Sequence, residues 1–256
     1  MSLLSGFADI SLLQLLLVAS VALFAAVIGG LAGYGTGALM PLVLVPMVGA
    51  EPVVPIIALS AIVTNISRVL AYFRSADHRR ALIVIAAAAF TTALGAYGYT
   101  RLSNAGAALV IGAMLIASVP LRRLLRRRAI RIGDAGLAAG AVGYGVVVGG
   151  TSGSGVILLS LLMAVGLEGT AVIATDAMIS VVTSLIKLSV FGLAGVVTAQ
   201  VIAFAVLIGA IALPGTFLAK AFVARLPLHI HTAILDLAVI SGGCVMIASG
   251  ARSLLT

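Results

Sequence analysis

The stretches that decide the fold are GGLAGYGTG at residues 29–37 and its shorter counterpart GGTSGSG at residues 149–155. Each follows a long apolar run and precedes a short one. Glycine has no Cβ, so such stretches let the backbone leave a helix or approach another group closely. At membrane depth this is tolerated only where the backbone is buried in protein or lines a wet cavity. Paired breaks in two halves of a chain therefore predict the binding site of a secondary transporter.

The composition identifies an integral membrane protein. Hydrophobic residues make up 62% of the chain and charged residues 9%, against about 45–50% and about 25% in soluble domains. The first 30 residues carry one charge, Asp9, and we expect them to stay as a membrane segment, since they lack the basic start of a signal peptide. The single cysteine, Cys244, rules out a disulfide framework, and we expect its thiol to be buried.

The net charge of +8 is concentrated in two short loops. Nine of the 15 lysines and arginines lie at residues 74–80 and 122–131. No aqueous domain is long enough to present a nucleic-acid-binding face, so the positive-inside rule explains the charge and places both loops in the cytoplasm. Binding of anionic lipid headgroups is the alternative role for the second loop.

The apolar runs predict an all-α polytopic protein with about five helical segments in each half. The runs are 11–32, 36–50, 53–73, 81–101, 105–121, 134–150, 154–167, 170–191, 198–219 and 228–250. Runs 36–50 and 154–167 are too short to cross comfortably and are predicted to be half-helices.

The two halves align at an offset of 119 to 120 residues. The alignment pairs Arg68 with Lys187 and Thr64 with Thr183, besides the glycines. Because five segments per half is an odd number, the second half enters from the opposite face, and we predict inverted-topology repeats at residues 1–128 and 129–256. Both termini are then outside.

Polar stripes on two predicted helices contain the two cations that lie inside spans, where ionisable groups are costly. The stripe of the second half is Asp176, Ser180, Thr183 and Lys187, and that of the first half is Ser60, Thr64, Ser67 and Arg68. These spacings put each set on one helical face. We predict that Arg68 and Lys187 attract the substrate; the alternative is that both snorkel to the interface.

Two intramembrane acids, Asp176 and Asp236, are candidates for proton coupling. Asp176 could also neutralise Lys187 or cap a helix start, and for both acids a plain structural pair is the alternative. Asn65 is predicted to donate to the substrate or to bond a neighbouring helix. No histidine has a second soft ligand at metal spacing, so we expect no metal and no cofactor.

The glycine stretches supply the other half of a predicted anion site. Short helices beginning at Thr36 and Ser154 would point free N–H groups and positive dipole ends at mid-membrane. The predicted substrate-binding residues are Gly33, Gly35, Thr36, Gly37, Thr64, Asn65, Arg68, Thr151, Ser152, Gly153, Ser154, Gly155, Thr183 and Lys187. The alternative is that the glycines only allow close helix packing.

These features resemble the sulfite/sulfonate exporter TauE/SafE family, also called the toluene-sulfonate uptake permease family. The resemblance rests on each glycine stretch, on the proline-containing short helix with Pro41, and on Ala174-Thr175-Asp176. The chain departs from the family where Tyr34-Gly35-Thr36-Gly37 and Ser154-Gly155-Val156 replace a glycine triplet, and where Asp176 replaces a small hydroxyl residue. The resemblance implies movement of sulfite, thiosulfate or organosulfonates across the bacterial inner membrane.

We therefore expect a secondary transporter with alternating access around the two glycine breaks, and protons as a candidate coupling ion. A passive anion channel would use the same binding chemistry. A membrane-embedded lipid pyrophosphate phosphatase is a third candidate. Such an enzyme needs paired carboxylates and an arginine beside the serine of its glycine break, and the chain lacks both, so we expect that the protein is not an enzyme. The expected partners are the small anion and membrane lipid, and a homodimer is compatible with the sequence.

Overall fold

The computed structural model describes residues 6–7, 10–32, 35–127, 131–222 and 228–255. Over these ranges the chain forms ten α-helices and no β-strand. The first half contains α1 (Leu12–Ala32), α2 (Gly35–Val48), α3 (Val53–Tyr72), α4 (His78–Tyr99) and α5 (Asn104–Arg127). The second contains α6 (Asp134–Gly150), α7 (Gly155–Ala164), α8 (Thr170–Leu193), α9 (Ala199–Phe222) and α10 (Leu228–Leu255). The all-α prediction is confirmed, and each predicted segment corresponds to one helix.

The helices are those of a multi-pass membrane protein. In the part of the chain that the structure describes, four helical stretches are long and apolar enough to cross a bilayer, namely Val53–Ser75, His78–Tyr99, Asn104–Leu121 and Thr170–Leu193. Large apolar side chains such as Leu70, Phe90 and Leu193 are exposed on the outside of the bundle. An outer surface of this kind is stable against lipid and not against water.

Helices α2 and α7 are the two shortest of the described α-helices, as the run lengths predict. Helix α2 has 14 residues and α7 has 10. At a rise of 1.5 Å per residue they extend about 21 Å and about 15 Å, less than the hydrocarbon core of about 30 Å. Neither helix is therefore long enough to cross the hydrocarbon core, and each has one end inside the protein.

The two halves pack in a two-fold pattern. Helix α3 packs against α8, and α5 against α10. The contact of α4 with α6 is matched by that of α9 with α1, and the contact of α3 with α9 by that of α8 with α4. Exchanging each helix for the one five places along therefore reproduces the main contacts between helices. The inverted orientation of the halves stays a prediction.

The connecting loops gather at two opposite ends of the bundle. At one end the Asp77 N–H donates to Thr175 Oγ1 at 2.9 Å, and Arg79 pairs with Asp134 at 2.6 Å. At the other end the Tyr99 hydroxyl donates to the Ala50 carbonyl at 2.7 Å. Since α4 runs from one end to the other, the basic loop at 74–80 and the loop after α2 lie on different faces.

The exposed position of Cys244 on α10 corrects the expectation of a buried thiol. Helix α10 turns its glycines inward, because a Cβ on Gly243 would meet Ile116 of α5 and one on Gly242 would meet Leu42 of α2. The neighbouring Cys244 consequently points outward.

Candidate functional site

A cavity of about 110 Å³ lies where α2, α7 and the loop at 151–154 meet the middle of α3, α6 and α8. Every predicted substrate-binding residue that the structure describes lines this cavity, and so does Asp176. The predicted residue Gly33 lies outside the described residues. The structure thus brings the predicted residues together around one space, while their contact with a substrate stays a prediction.

The two glycine breaks touch each other at the cavity. Ser152 Oγ donates to the Gly37 carbonyl at 2.8 Å. A Cβ built on Gly37 would lie 3.1 Å from the main-chain nitrogen of Gly153. This close approach of two main chains is favoured by the missing side chain at Gly37, because a Cβ there would push the two apart by a few tenths of an ångström.

The second break leaves the helix as predicted, between the end of α6 at Gly150 and the start of α7. Gly153 has φ of +83°, in the left-handed region that only glycine adopts readily. The first break is predicted at residues 33–37; α1 is described to Ala32 and α2 from Gly35, and residues 33–34 lie outside the described residues. The short helices begin at Gly35 and Gly155, one residue from the predicted starts, and Ser154 occupies the cap position of α7.

The glycine Gly149 serves the packing role of the alternative interpretation. A Cβ there would lie 2.7 Å from the Ala96 nitrogen of α4. The seam between α4 and α6 is therefore backbone against backbone, as small residues allow between membrane helices. The two roles are divided: Gly149 packs helices, and Gly153 makes the turn.

The N-terminus of α7 opens onto the cavity. Ser154 and Gly155 both line it, and the Ser154 side chain caps no N–H group of the helix. The first N–H groups of a helix have no acceptor within the helix and carry the positive end of its dipole. An anion in the cavity would accept hydrogen bonds from these N–H groups.

The polar stripe of α8 faces the cavity along its whole length, but the stripe of α3 is shifted from the predicted one. The residues Asp176, Ser180, Thr183 and Lys187 all line the cavity. On α3 the lining residues are Ile57, Ala58, Ala61, Thr64, Asn65 and Arg68. Ser60 and Ser67 are not among them, and their hydroxyls bond to carbonyls one turn earlier on the same helix.

Arg68 forms a buried ion pair across the two halves. Its Nη2 lies 3.2 Å from Asp176 Oδ2, and its Nη1 donates to Asn65 Oδ1 at 2.9 Å. Arg68 Nε and Nη2 and Asp176 Oδ1 are buried and make no hydrogen bond with the described residues. The guanidinium therefore keeps donor capacity for a ligand. The contact of Asn65 with its own helix was not one of the predicted alternatives.

Lys187 is buried without a carboxylate. Lys187 is 5% exposed, and its Nζ donates to the Thr151 carbonyl at 3.4 Å. Among the described residues no acid lies within ion-pair distance of Nζ. A buried ammonium of this kind is costly unless a counter-ion completes it. Neither Lys187 nor Arg68 snorkels to the interface, because both head groups are enclosed by protein.

The position of Asp176 excludes two of its predicted roles, while proton coupling stays a prediction. It contacts Arg68 and not Lys187. It lies six residues inside α8, which begins at Thr170 after Gly169, so it caps no helix. The second acid, Asp236, is buried on α10 and is not among the residues that line the cavity.

Sequence reasoning missed Tyr144, which is 2% exposed and lines the cavity. It lies on α6 in a run otherwise made of glycine and small apolar residues. Val148 and Thr151 follow it at spacings of four and seven residues and also line the cavity. The spacing of four puts Tyr144 and Val148 on one face of α6. Thr151 follows the helix in extended backbone, so the signal points back from the glycine break along this face to the tyrosine.

Comparisons with known proteins identify the family of the chain. The search of curated proteins and the search of solved structures each returned no match. A family model described as sulfite exporter TauE/SafE matches residues 18–246. This match spans both halves and all the residues that line the cavity, and the chain belongs to the sulfite exporter TauE/SafE family of membrane transporters.

Proposed function

We propose that this protein is a secondary transporter that moves small sulfur-containing anions, such as sulfite, thiosulfate or organosulfonates, across the bacterial inner membrane. The observation that carries the proposal is Lys187, a buried ammonium that lines the cavity and has no acid of the described residues within ion-pair distance. An oxyanion in the cavity would be its counter-ion. Arg68, hydroxyl groups and the N-terminus of α7 border the same space and are further donors.

The size of the cavity supports a small ion as substrate. Sites for drug-sized ligands have volumes of about 300–1,000 Å³, whereas this cavity has about 110 Å³. One water needs about 10–15 Å³ on this measure. The space therefore suits an oxyanion with a small organic group or none.

The two-fold packing of the halves supports alternating access. The cavity lies between equivalent helices, α3 and α8, and between the two glycine breaks. If the halves are inverted repeats, rocking one against the other would open this space to either side. The basic loops would then be cytoplasmic by the positive-inside rule.

Asp176 is our candidate for proton coupling, because it lies in the cavity and Asp236 does not. A proton on its carboxylate would weaken its hold on Arg68 and free that guanidinium for the anion. Coupling of this kind makes transport respond to a proton gradient.

A passive anion channel is the second candidate, since a pore and a carrier use the same binding groups. Proteoliposome flux with and without a pH gradient tests both, using radiolabelled sulfite and thiosulfate. The transporter proposal expects the gradient to drive accumulation above the external concentration. A channel would only equilibrate the anion, and absence of flux in the wild-type protein would contradict both candidates.

A further inference from the structure

The charges that line the cavity are unequal in the two halves. The charged residues that line it are Arg68 in the first half and Asp176 and Lys187 in the second. Arg68 and Lys187 correspond to each other at an offset of 119 residues, and at the same offset the counterpart of Asp176 is the apolar Ile57. The acid therefore breaks the two-fold arrangement and neutralises Arg68, while no acid of the described part of the chain pairs with Lys187.

We infer that Asp176 sets the charge of the anion that the site accepts. With Arg68 and Asp176 paired, the described residues around the cavity carry one surplus positive charge. This favours a singly charged sulfur oxyanion, a sulfonate or hydrogensulfite, over a doubly charged one such as thiosulfate. The inference rests on the proposed function and deepens it by naming the charge class of the substrate.

Burial makes the carboxylate effective in this role. Asp176 is 1% exposed, and its Oδ1 makes no hydrogen bond with the described residues. A second negative charge brought into the cavity would meet this carboxylate with little solvent between them. Repulsion between like charges is strong at such sites, because the surroundings screen it poorly.

The competing interpretation is that Asp176 only holds α8 to α3 through Arg68. A purely structural acid would affect the stability of the protein and the affinity for every anion alike. The ratio of affinities for a singly and a doubly charged anion distinguishes the two interpretations, because a general loss of structure does not change it in a fixed direction.

The test measures that ratio with methanesulfonate, which carries one charge at neutral pH, and thiosulfate, which carries two. Binding to purified protein in lipid nanodiscs is measured by calorimetry at constant ionic strength. The variants are Asp176→Asn and the double variant Arg68→Gln with Asp176→Asn. The matched control is Asp134→Asn, which removes an acid from the exposed pair with Arg79.

The wild-type protein is expected to prefer methanesulfonate. Asp176→Asn, with two surplus cations, should shift the affinity ratio toward thiosulfate by about tenfold or more, the effect of one unit charge several ångströms away at an effective protein dielectric. The double variant, again with one surplus cation, should return the ratio to the wild-type value. Asp134→Asn should leave it unchanged.

Since Asp176→Asn leaves Arg68 without its carboxylate and can fail to fold, a second comparison gives the same information. Arg68→Gln alone and Arg68→Gln with Asp176→Asn differ only in the carboxylate, whose removal should strengthen thiosulfate binding more than methanesulfonate binding. An unchanged ratio in both comparisons would overturn the inference alone. A wild-type protein that binds neither these anions nor sulfite would overturn the proposed function, and the inference with it.

Discussion

Substitutions at Gly153 and Gly149 distinguish a glycine that forms the binding site from a glycine that lets two helices pack. Gly153 has φ of +83° and lies at the cavity, whereas Gly149 lies in the seam between α6 and α4. We predict that Gly153→Ala weakens anion binding in a folded protein, and that Gly149→Ala lowers stability while the folded protein still binds.

The magnitudes follow from what a Cβ would meet at each position. At Gly153 the left-handed backbone costs a residue with a Cβ about 1–2 kcal/mol. The nearest atom is Leu115 Cδ2 at 3.2 Å, the end of a flexible side chain that can move by a few tenths of an ångström. Relaxation of the turn would move the N-terminus of α7, and loss of one charge-assisted hydrogen bond is worth about 1.5–3 kcal/mol, or about ten- to a hundredfold in affinity.

At Gly149 the added Cβ would lie 2.7 Å from the Ala96 nitrogen and 3.0 Å from the Gly95 Cα, and both atoms are main chain. Helices α4 and α6 would have to separate, and overpacking of this kind costs about 1–3 kcal/mol or more. The matched control is Gly143→Ala on the same helix, where a Cβ meets nothing within 4 Å.

The assay combines thermal unfolding in lipid nanodiscs with calorimetric binding of the anion that the wild-type protein binds best. Gly143→Ala should match the wild type in both measurements. Gly149→Ala should unfold at a lower temperature and keep the affinity of its folded fraction. A folded Gly153→Ala protein with wild-type affinity would refute the claim that this turn builds the site.

Two further predictions follow from the buried charges and the loops. Lys187→Met and Arg68→Gln should each lower anion affinity about ten- to a hundredfold, the value of a charge-assisted contact, whereas Arg252→Gln at an exposed position should not. Calorimetric binding measures the three affinities. Wild-type affinity in all three variants would mean that Lys187 and Arg68 have only a structural role. In a Cys244→Ser background, a cysteine at position 76 should resist labelling by an impermeant reagent added to intact cells, while one at position 103 should react. The reason is that the loops at these positions lie at opposite ends of α4. The reverse pattern would overturn the predicted orientation of the protein in the membrane.

The helices could be predicted from the sequence because their signals are local. Run length and the glycine breaks locate each helix, and the predicted runs agree with the observed helices over most of their length. The basic stretches were wrongly expected to be loops throughout: α5 continues through Arg127, and α4 already begins at His78. The polar stripe of α8 was equally readable, since the helical period alone places Asp176, Thr183 and Lys187 on one face.

The remaining features depend on packing between distant segments. Nothing near Asp176 in sequence indicates that α3 will bring Arg68 to it. The helical rise does exclude Lys187, which lies 11 residues along α8 and so about 16.5 Å away. The rotation of a helix about its axis is also set by its neighbours, which is why Ser60 and Cys244 were assigned to the wrong faces. The spacing of Tyr144 to Val148 acquires a meaning only once it is known that α6 lines the cavity.

Counterflow in proteoliposomes tests most directly the central claim that this cavity is the binding site of an alternating-access carrier. Vesicles are loaded with unlabelled sulfite or thiosulfate, and entry of the labelled anion is followed in wild-type, Lys187→Met and Arg252→Gln proteins. The account predicts transient accumulation of label above equilibrium in the wild-type and Arg252→Gln proteins, and its loss in Lys187→Met. Flux without transient accumulation, or counterflow undiminished by Lys187→Met in a folded protein, would contradict it.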